Sequence, residues 1–258
     1  MMKRHRSRCL FSLMKDCSKM QVHHHPLVGA SLGTRRAITS YHFGPGDDAR
    51  PKLYIQASLH ADELPGMVVA WYLKQRFAEL EAQGKLAARI VLVPVANPAG
   101  LNQHWFGAQM GRFDMRSGQD FNRRFPEFGA ELAHKLKNRL NDDPAHNAQL
   151  IRDALRTRFA TLKPSTELES QRIELMKLAC DADLVIDLHC DWEAVPHLYT
   201  TPQAWPSIEL LARYLGSGRN CWRTCRAASR SMKRAHRRGV ICVRNSRTAF
   251  RFRRASRR

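Results

Sequence analysis

The sequence predicts an α/β fold, a sheet with helices on its faces, on the strength of three neighbouring segments. Residues 52–58 (KLYIQAS) are a short apolar run between Pro51 and the polar His60 and Asp62, which suits a buried strand. Residues 64–83 repeat apolar side chains at three- and four-residue steps (Val68, Val69, Tyr72, Leu73, Phe77, Leu80), with Pro65 in the first turn and Gly84 at the end, the pattern of a helix. Residues 89–95 (RIVLVPV) are a second buried-strand run. Strand, helix and strand in this order make a βαβ unit, and such units stack into a sheet covered by helices.

Residues 97–126 then carry Gly100, Gly107, Gly111 and Gly118 among polar side chains. A loop region of this length inside a compact domain is more often functional than filler. Helical patterns return at residues 128–140, 147–162 and 165–180, the last opened by Ser165. Residues 183–188 (DLVIDL) predict a third buried strand, ending at His189; residues 197–200 are a candidate fourth, and residues 205–215 one more helix. The pattern stops near Gly216.

Charge divides the chain in the same places. It has 258 residues, 43 Lys and Arg against 23 Asp and Glu, and a net charge of +20. Residues 1–19 hold six bases and one acid, and residues 217–258 hold fourteen Arg, Lys233 and no acid. Residues 20–216 are balanced, so the charge does not argue for a specific nucleic-acid binder. Three units are expected: a disordered basic extension at 1–19, a catalytic domain at 20–216, and an Arg-rich tail at 217–258. No run approaches the roughly 18 apolar residues of a membrane span. The apolar patch after the first basic cluster is too short for a secretory signal and only weakly suggests a transit peptide. Seven cysteines without a CxxC pair fit thiols in a reducing cytoplasm better than a disulfide framework. The His23-His24-His25 run reads as a solvated loop that could pick up metal adventitiously.

Chemistry concentrates at the ends of the predicted strands. His60-Ala61-Asp62-Glu63 is an HxxE placed where strand turns to helix, so both side chains can reach one point above the sheet's carboxyl edge. Alone it is a weak signal, because an exposed His and a first-turn Glu are common at helix starts. His189, at the end of another buried strand, would arrive at the same edge. Two imidazoles and one carboxylate leave an open position on Zn²⁺, the ligand set of a hydrolytic site; the alternative is a capped core histidine beside Asp187 and Asp191. Asp120-Phe121-Asn122-Arg123-Arg124-Phe125-Pro126 in the long loop sets an amide beside a guanidinium, a pair that can clamp a carboxylate.

HxxE after a strand, then Asn97-Pro98-Ala99-Gly100, Gly111-Arg112-Phe113-Asp114, DFNRRFP and DLHCD (187–191), in that order, resemble the succinylglutamate desuccinylase/aspartoacylase family of zinc carboxypeptidase-like hydrolases. The resemblance covers roughly residues 28–216. It implies a mixed, twisted sheet flanked by helices on both faces, with one Zn²⁺ per chain on His60, Glu63 and His189. It also implies that Asn122 and Arg123 bind the substrate carboxylate and that Arg112, or less favourably Arg116, polarises the scissile carbonyl. The implied reaction is attack of metal-activated water on the amide of an N-acyl amino acid or similar small carboxylate, by a cytoplasmic deacylase. A carboxypeptidase-like peptidase is the nearest alternative.

The family also uses a general-base glutamate well downstream of the second histidine, and nothing matches it here. Glu209, the last acid of the chain, sits on a helix that reads as scaffold; Asp191 and Glu193 are weak substitutes. The acid-free tail has the composition expected of off-frame translation of GC-rich DNA, so a frameshift near residues 215–219 and an incomplete domain are expected, and Met20 reads as the more natural start. A catalytically inactive metal-binding remnant, with a tail that associates with nucleic acid or anionic lipid, is the alternative from outside the enzyme class.

Overall fold

The computed structural model describes residues 20–46, 50–190, 197–200, 204–216 and the strand backbones at 219–222, 240–244 and 249–254. The 1–19 extension, Asp191 and Glu193 lie outside the described residues. Among the described residues a nine-stranded sheet is laid out in the order β1-β2-β4-β3-β7-β11-β10-β8-β9. Its strands are β1 (Gln21–Pro26), β2 (Ala37–Phe43), β3 (Lys52–Ala57), β4 (Arg89–Val93), β7 (Leu184–His189), β8 (His197–Thr200), β9 (Arg219–Trp222), β10 (Val240–Arg244) and β11 (Ala249–Arg254). A separate two-stranded ribbon pairs β5 (His104–Trp105) with β6 (Ala108–Gln109). β3 runs parallel to both β4 and β7, whereas β2 on β4 and β11 on β7 are antiparallel, so the sheet is mixed as expected.

The predicted βαβ unit is present as β3, the helix α1 (Pro65–Ala82) and β4. The short α2 (Pro98–Leu101) follows β4, and α3 (Gly129–Leu136), α4 (Pro144–Ala160), α5 (Glu167–Ala179) and α6 (Glu209–Tyr214) complete the helices. α4 begins three residues before the apolar period does, because Asp143 Oδ1 accepts the Ala145 N–H at 2.9 Å and Pro144 fits the first turn. α5 starts behind Thr166, whose hydroxyl caps the Glu169 N–H, while Glu169 reaches back to the Ser165 N–H.

Alternation along the strands sorts the core onto two faces. Ile55, Ala57, Ile90, Leu92, Ile186 and Leu188 face α1 and α6, packing with Ala70, Ile208 and Ala212. Tyr54, Val91 and Val93 face the opposite way, against Leu175 and Leu178 of α5. A smaller cluster of Phe128, Leu132, Leu136, Leu155 and Phe159 joins α3 to α4. At Gly66 an added Cβ would meet Leu188 Cβ at 3.2 Å, so its glycine lets the start of α1 lie close over the sheet. A buried network pins the opposite end: Lys52 Nζ donates to Asp181 and to the Leu178 carbonyl, and Arg156 donates to Asp181 Oδ2 at 2.8 Å. Burial raises the Asp181 pKa, but Lys52 and Arg156 more than offset this and hold it below the ordinary carboxylate value.

One expectation is corrected. His23, His24 and His25 lie in the edge strand β1 and not in a loop, paired with β2 from Gln21↔His42 to Pro26↔Ala37. Within 217–258, expected to be disordered or frameshifted, the described residues are the strands β9, β10 and β11, with β11 on β7 and β10 between β11 and β8. The physical signals were there: VICVR is a β-branched run, and AFRFRR alternates apolar and basic residues with the period of a strand. The high Arg content masked them.

Candidate metal centre

Three chain segments deliver the centre to one edge of the sheet. β3 ends at Ala57, and Ser58 then takes a left-handed φ of 60° that turns the chain toward His60. β4 ends at Val93, and Asn97 follows at the start of α2, where its buried side chain donates to the Leu59 carbonyl at 3.0 Å and accepts the Gly100 N–H at 2.7 Å. The HxxE turn is thereby tied to the loop of α2. The strand β7, parallel to β3, carries His189 to the same edge at its last residue. Gly111 crosses this turn so closely that a Cβ there would lie 2.2 Å from the Asp62 nitrogen; its carbonyl accepts the Ala61 N–H at 2.9 Å.

His60, Glu63 and His189 meet there, 2%, 6% and 1% exposed, and one ligand atom from each lies within 4.8 Å of the others. Glu63 Oε1 is 2.9 Å from His60 Nδ1, and Glu63 Oε2 is 2.8 Å from His189 Nδ1. The remaining lone pairs of Glu63 accept the Arg112 guanidinium at 3.0 Å and the Cys190 N–H at 2.8 Å. Burial alone would raise the Glu63 pKa, but His189 and His60 reverse this and hold it well below the carboxylate range. His189 shows the mirror effect: burial lowers its pKa, yet Asp187 and Glu63 win and push it to about 10.

The far nitrogens test whether the set suits a metal. His60 Nε2 is 3.2 Å from Asp120 Oδ1, and His189 Nε2 is 2.8 Å from Asp187 Oδ2. A carboxylate behind each ring fixes the tautomer with its proton on Nε2 and turns both Nδ1 lone pairs inward, the arrangement of metal-bound histidines. Nitrogen, oxygen and nitrogen donors in a buried cluster fit Zn²⁺ with an open position. The group could therefore hold such an ion.

The other sequence candidates fall at different distances. Asn122 is buried, its side-chain nitrogen 3.5 Å from His189 Nε2, and its N–H donates to Asp120 Oδ1 at 2.7 Å. Arg123 is half-buried beside it and donates to the Asn122 carbonyl at 2.8 Å. Arg112 touches the centre through Glu63, whereas Arg116 is exposed and bonded to the Ala30 carbonyl at 2.7 Å. Glu209 is paired with Arg213 on α6 at 2.7 Å. Sequence reasoning assigned no role to Asp120, and it considered Asp187 only as a neighbour of a capped histidine. The signal was the i, i+2 spacing of Asp187 and His189, which puts both on one face of a strand.

A mixed sheet flanked by helices, with a His-Glu-His cluster at the carboxyl edge of its parallel strands, is the architecture of carboxypeptidase-like hydrolases. Its fold is shared with a solved metallopeptidase from Shewanella baltica OS155, at 16% identity and a TM-score of 0.51, covering 87% of this chain and 77% of that one. Within this class the chain resembles the succinylglutamate desuccinylase/aspartoacylase family, as the motifs implied. Residues 49–160, which include His60, Glu63, Asn122 and Arg123, match the model of the succinylglutamate desuccinylase/aspartoacylase catalytic domain. A family protein from Shewanella amazonensis SB2B is 29% identical, with a TM-score of 0.60 over 70% of this chain and 49% of that one. Another from Shewanella frigidimarina NCIMB 400 is 24% identical, with a TM-score of 0.61 over 73% of this chain and 51% of that one. The chain thus spans about half the length of these two relatives. No curated protein matches it.

Proposed function

We propose that the protein is a zinc-dependent hydrolase that cleaves the amide bond of an N-acyl amino acid or a similar small carboxylate substrate. The observation that carries this reading is the convergence of His60, Glu63 and His189, one ligand atom from each within 4.8 Å of the others, with the Asn122 amide beside His189. His60, Glu63 and His189 would hold one Zn²⁺. When bound, such an ion polarises a carbonyl and lowers the pKa of a water to about 7. Asn122 and Arg123 bind the substrate carboxylate, the amide and guanidinium supplying directed donors that orient the scissile bond. Arg112, whose side chain is 35% exposed, can turn from Glu63 toward the carbonyl oxygen and stabilise the negative charge that grows there.

Among the described residues no side chain is assigned as general base; Asp191 and Glu193 lie outside them, and Glu209 is committed to Arg213. The same carboxylate clamp would also serve the C-terminus of a short peptide, and the metallopeptidase fold favours this as the second reading. We place the activity in the cytoplasm, whose reducing conditions suit seven cysteines without a CxxC pair.

Metal analysis of the full chain, followed by hydrolysis of a panel of N-acyl amino acids and of dipeptides, tests the reading. One zinc with release of the acyl group is expected. Cleavage of dipeptides alone supports the peptidase, zinc without turnover supports a metal-binding remnant, and a chain that binds no metal overturns the ligand assignment.

A further inference from the structure

The three consecutive histidines of β1 do not act together, because a strand sends alternate side chains to opposite faces. His24 points one way, with Nδ1 3.1 Å from Thr39 Oγ1. His23 and His25 point the other. The register sets His23 opposite Ser40 and Gln21 opposite His42, so His23, His25, Ser40 and His42 share one face of the hairpin. The rings of His23 and His42 lie 4.5 Å apart between centroids, and those of His23 and His25 lie 6.5 Å apart. His25 Nε2 and His42 Nε2 both bond to Ser40 Oγ, at 2.8 Å and 2.9 Å. The two nitrogens are therefore no farther apart than these bonds laid end to end.

We propose that His23, His25 and His42 form a second metal site, for a late first-row divalent ion such as Cu²⁺, Ni²⁺ or Zn²⁺. Three imidazoles without a carboxylate among the ligands suit these ions and not Mg²⁺ or Ca²⁺. Metal–nitrogen bonds of about 2.0–2.1 Å require the three nitrogens to close on one point. His23 is exposed and can turn to do so, while His25 and His42 are half-buried and already directed at a common atom. His25 Nδ1 faces Glu174 Oε2 at 4.0 Å, so a carboxylate stands behind this ring, and the bond to Ser40 Oγ directs Nε2 to the shared face. The site lies on the outermost hairpin of the sheet, separated from β3 and the His60 centre by β4. An ion there would link β1 to β2 across the ladder, at an edge where β1 has one neighbour among the described residues.

Titration with Cu²⁺ of the full chain already loaded with one equivalent of Zn²⁺, which occupies the His60 centre, followed by electron paramagnetic resonance, tests the site apart from the hydrolase reading. A copper signal split by imidazole nitrogens is expected to disappear in both His23→Gln and His42→Gln and to persist in His60→Gln. Thermal melts without metal should leave His23→Gln unchanged, since that side chain is exposed, whereas the further rise in Tm that Ni²⁺ gives the zinc-loaded parent should be lost. If the copper signal is the same in His23→Gln and His42→Gln as in the parent, or vanishes in His60→Gln, the second site is overturned. Either result leaves the ligand set of the hydrolase to be judged by its own zinc analysis.

Discussion

Glu63 concentrates the chemistry of this protein on one side chain. Its two oxygens face the Nδ1 atoms of both histidines and accept from Arg112 and from the Cys190 N–H, on a group that is 6% exposed. Such a carboxylate stays ionised despite burial because two imidazoles, a guanidinium and a backbone N–H surround it. The proposed ligand role gives a first prediction: Glu63→Gln, which keeps the shape and removes the charge, should abolish stoichiometric zinc, read by metal analysis of the purified chain. Asp120 and Asp187 act through the histidines they orient. Asp120→Asn and Asp187→Asn should each weaken metal affinity by about 10–100-fold without abolishing it, measured by competition with a chromophoric chelator. The arginines proposed to meet the substrate should separate by kinetics: Arg123→Ala should raise KM, and Arg112→Ala should lower kcat by about 10²–10³-fold, the usual effect of losing an oxyanion donor.

At the scale of the element, the turns after β3 and β4 decide whether the ligands meet. Gly111 passes over the HxxE turn so closely that a methyl group would strike backbone atoms of Ala61 and Asp62 and not a flexible side chain. Gly111→Ala should therefore destabilise the fold by about 1–3 kcal/mol and reduce metal binding with it, detected as a lowered urea midpoint and substoichiometric zinc. The ribbon of β5 and β6 carries a different kind of strain. Phe106 and Gly107 form its tip with φ of 47° and 80°, and Phe106 is 94% exposed, so an aromatic residue occupies a left-handed position with no burial in return. Asn is the residue that tolerates this geometry best before glycine. Phe106→Asn should stabilise the protein by about 1 kcal/mol, visible as a higher denaturation midpoint with an unchanged slope.

Across the whole molecule, the two faces of the sheet are held by apolar burial, and the amino-terminal end of β3 by the ion network of Lys52, Asp181 and Arg156. Because Asp181 has a folded pKa below its unfolded one, its contribution is present above the ordinary carboxylate value of 3.8 and is lost as pH falls through the folded value. Unfolding free energy should therefore drop below about pH 4, and Asp181→Asn should flatten that acid limb while costing about 3 kcal/mol at neutral pH, as expected for a buried cation deprived of its partner. Much of this molecule was legible beforehand. KLYIQAS, RIVLVPV and DLVIDL declared their strands because strands buried on both faces need unbroken apolar runs, and the spacing of His60 and Glu63 fixed them on one turn. The hairpin of β1 and β2 was not legible, since an exposed edge strand has little apolar signal to show. The strands of the basic segment were hidden by their arginines, and the carboxylates behind the two histidines look like ordinary acids until the chain is folded. The sequence by itself determined which side chains are able to bind a metal and a carboxylate, because that depends on residue type and local spacing. Only the tertiary structure decided that His189 joins His60 and Glu63, that Arg112 and not Arg116 stands at the centre, and that His42 stands beside His23. Those pairings depend on strand order and register across the sheet, which local spacing does not encode.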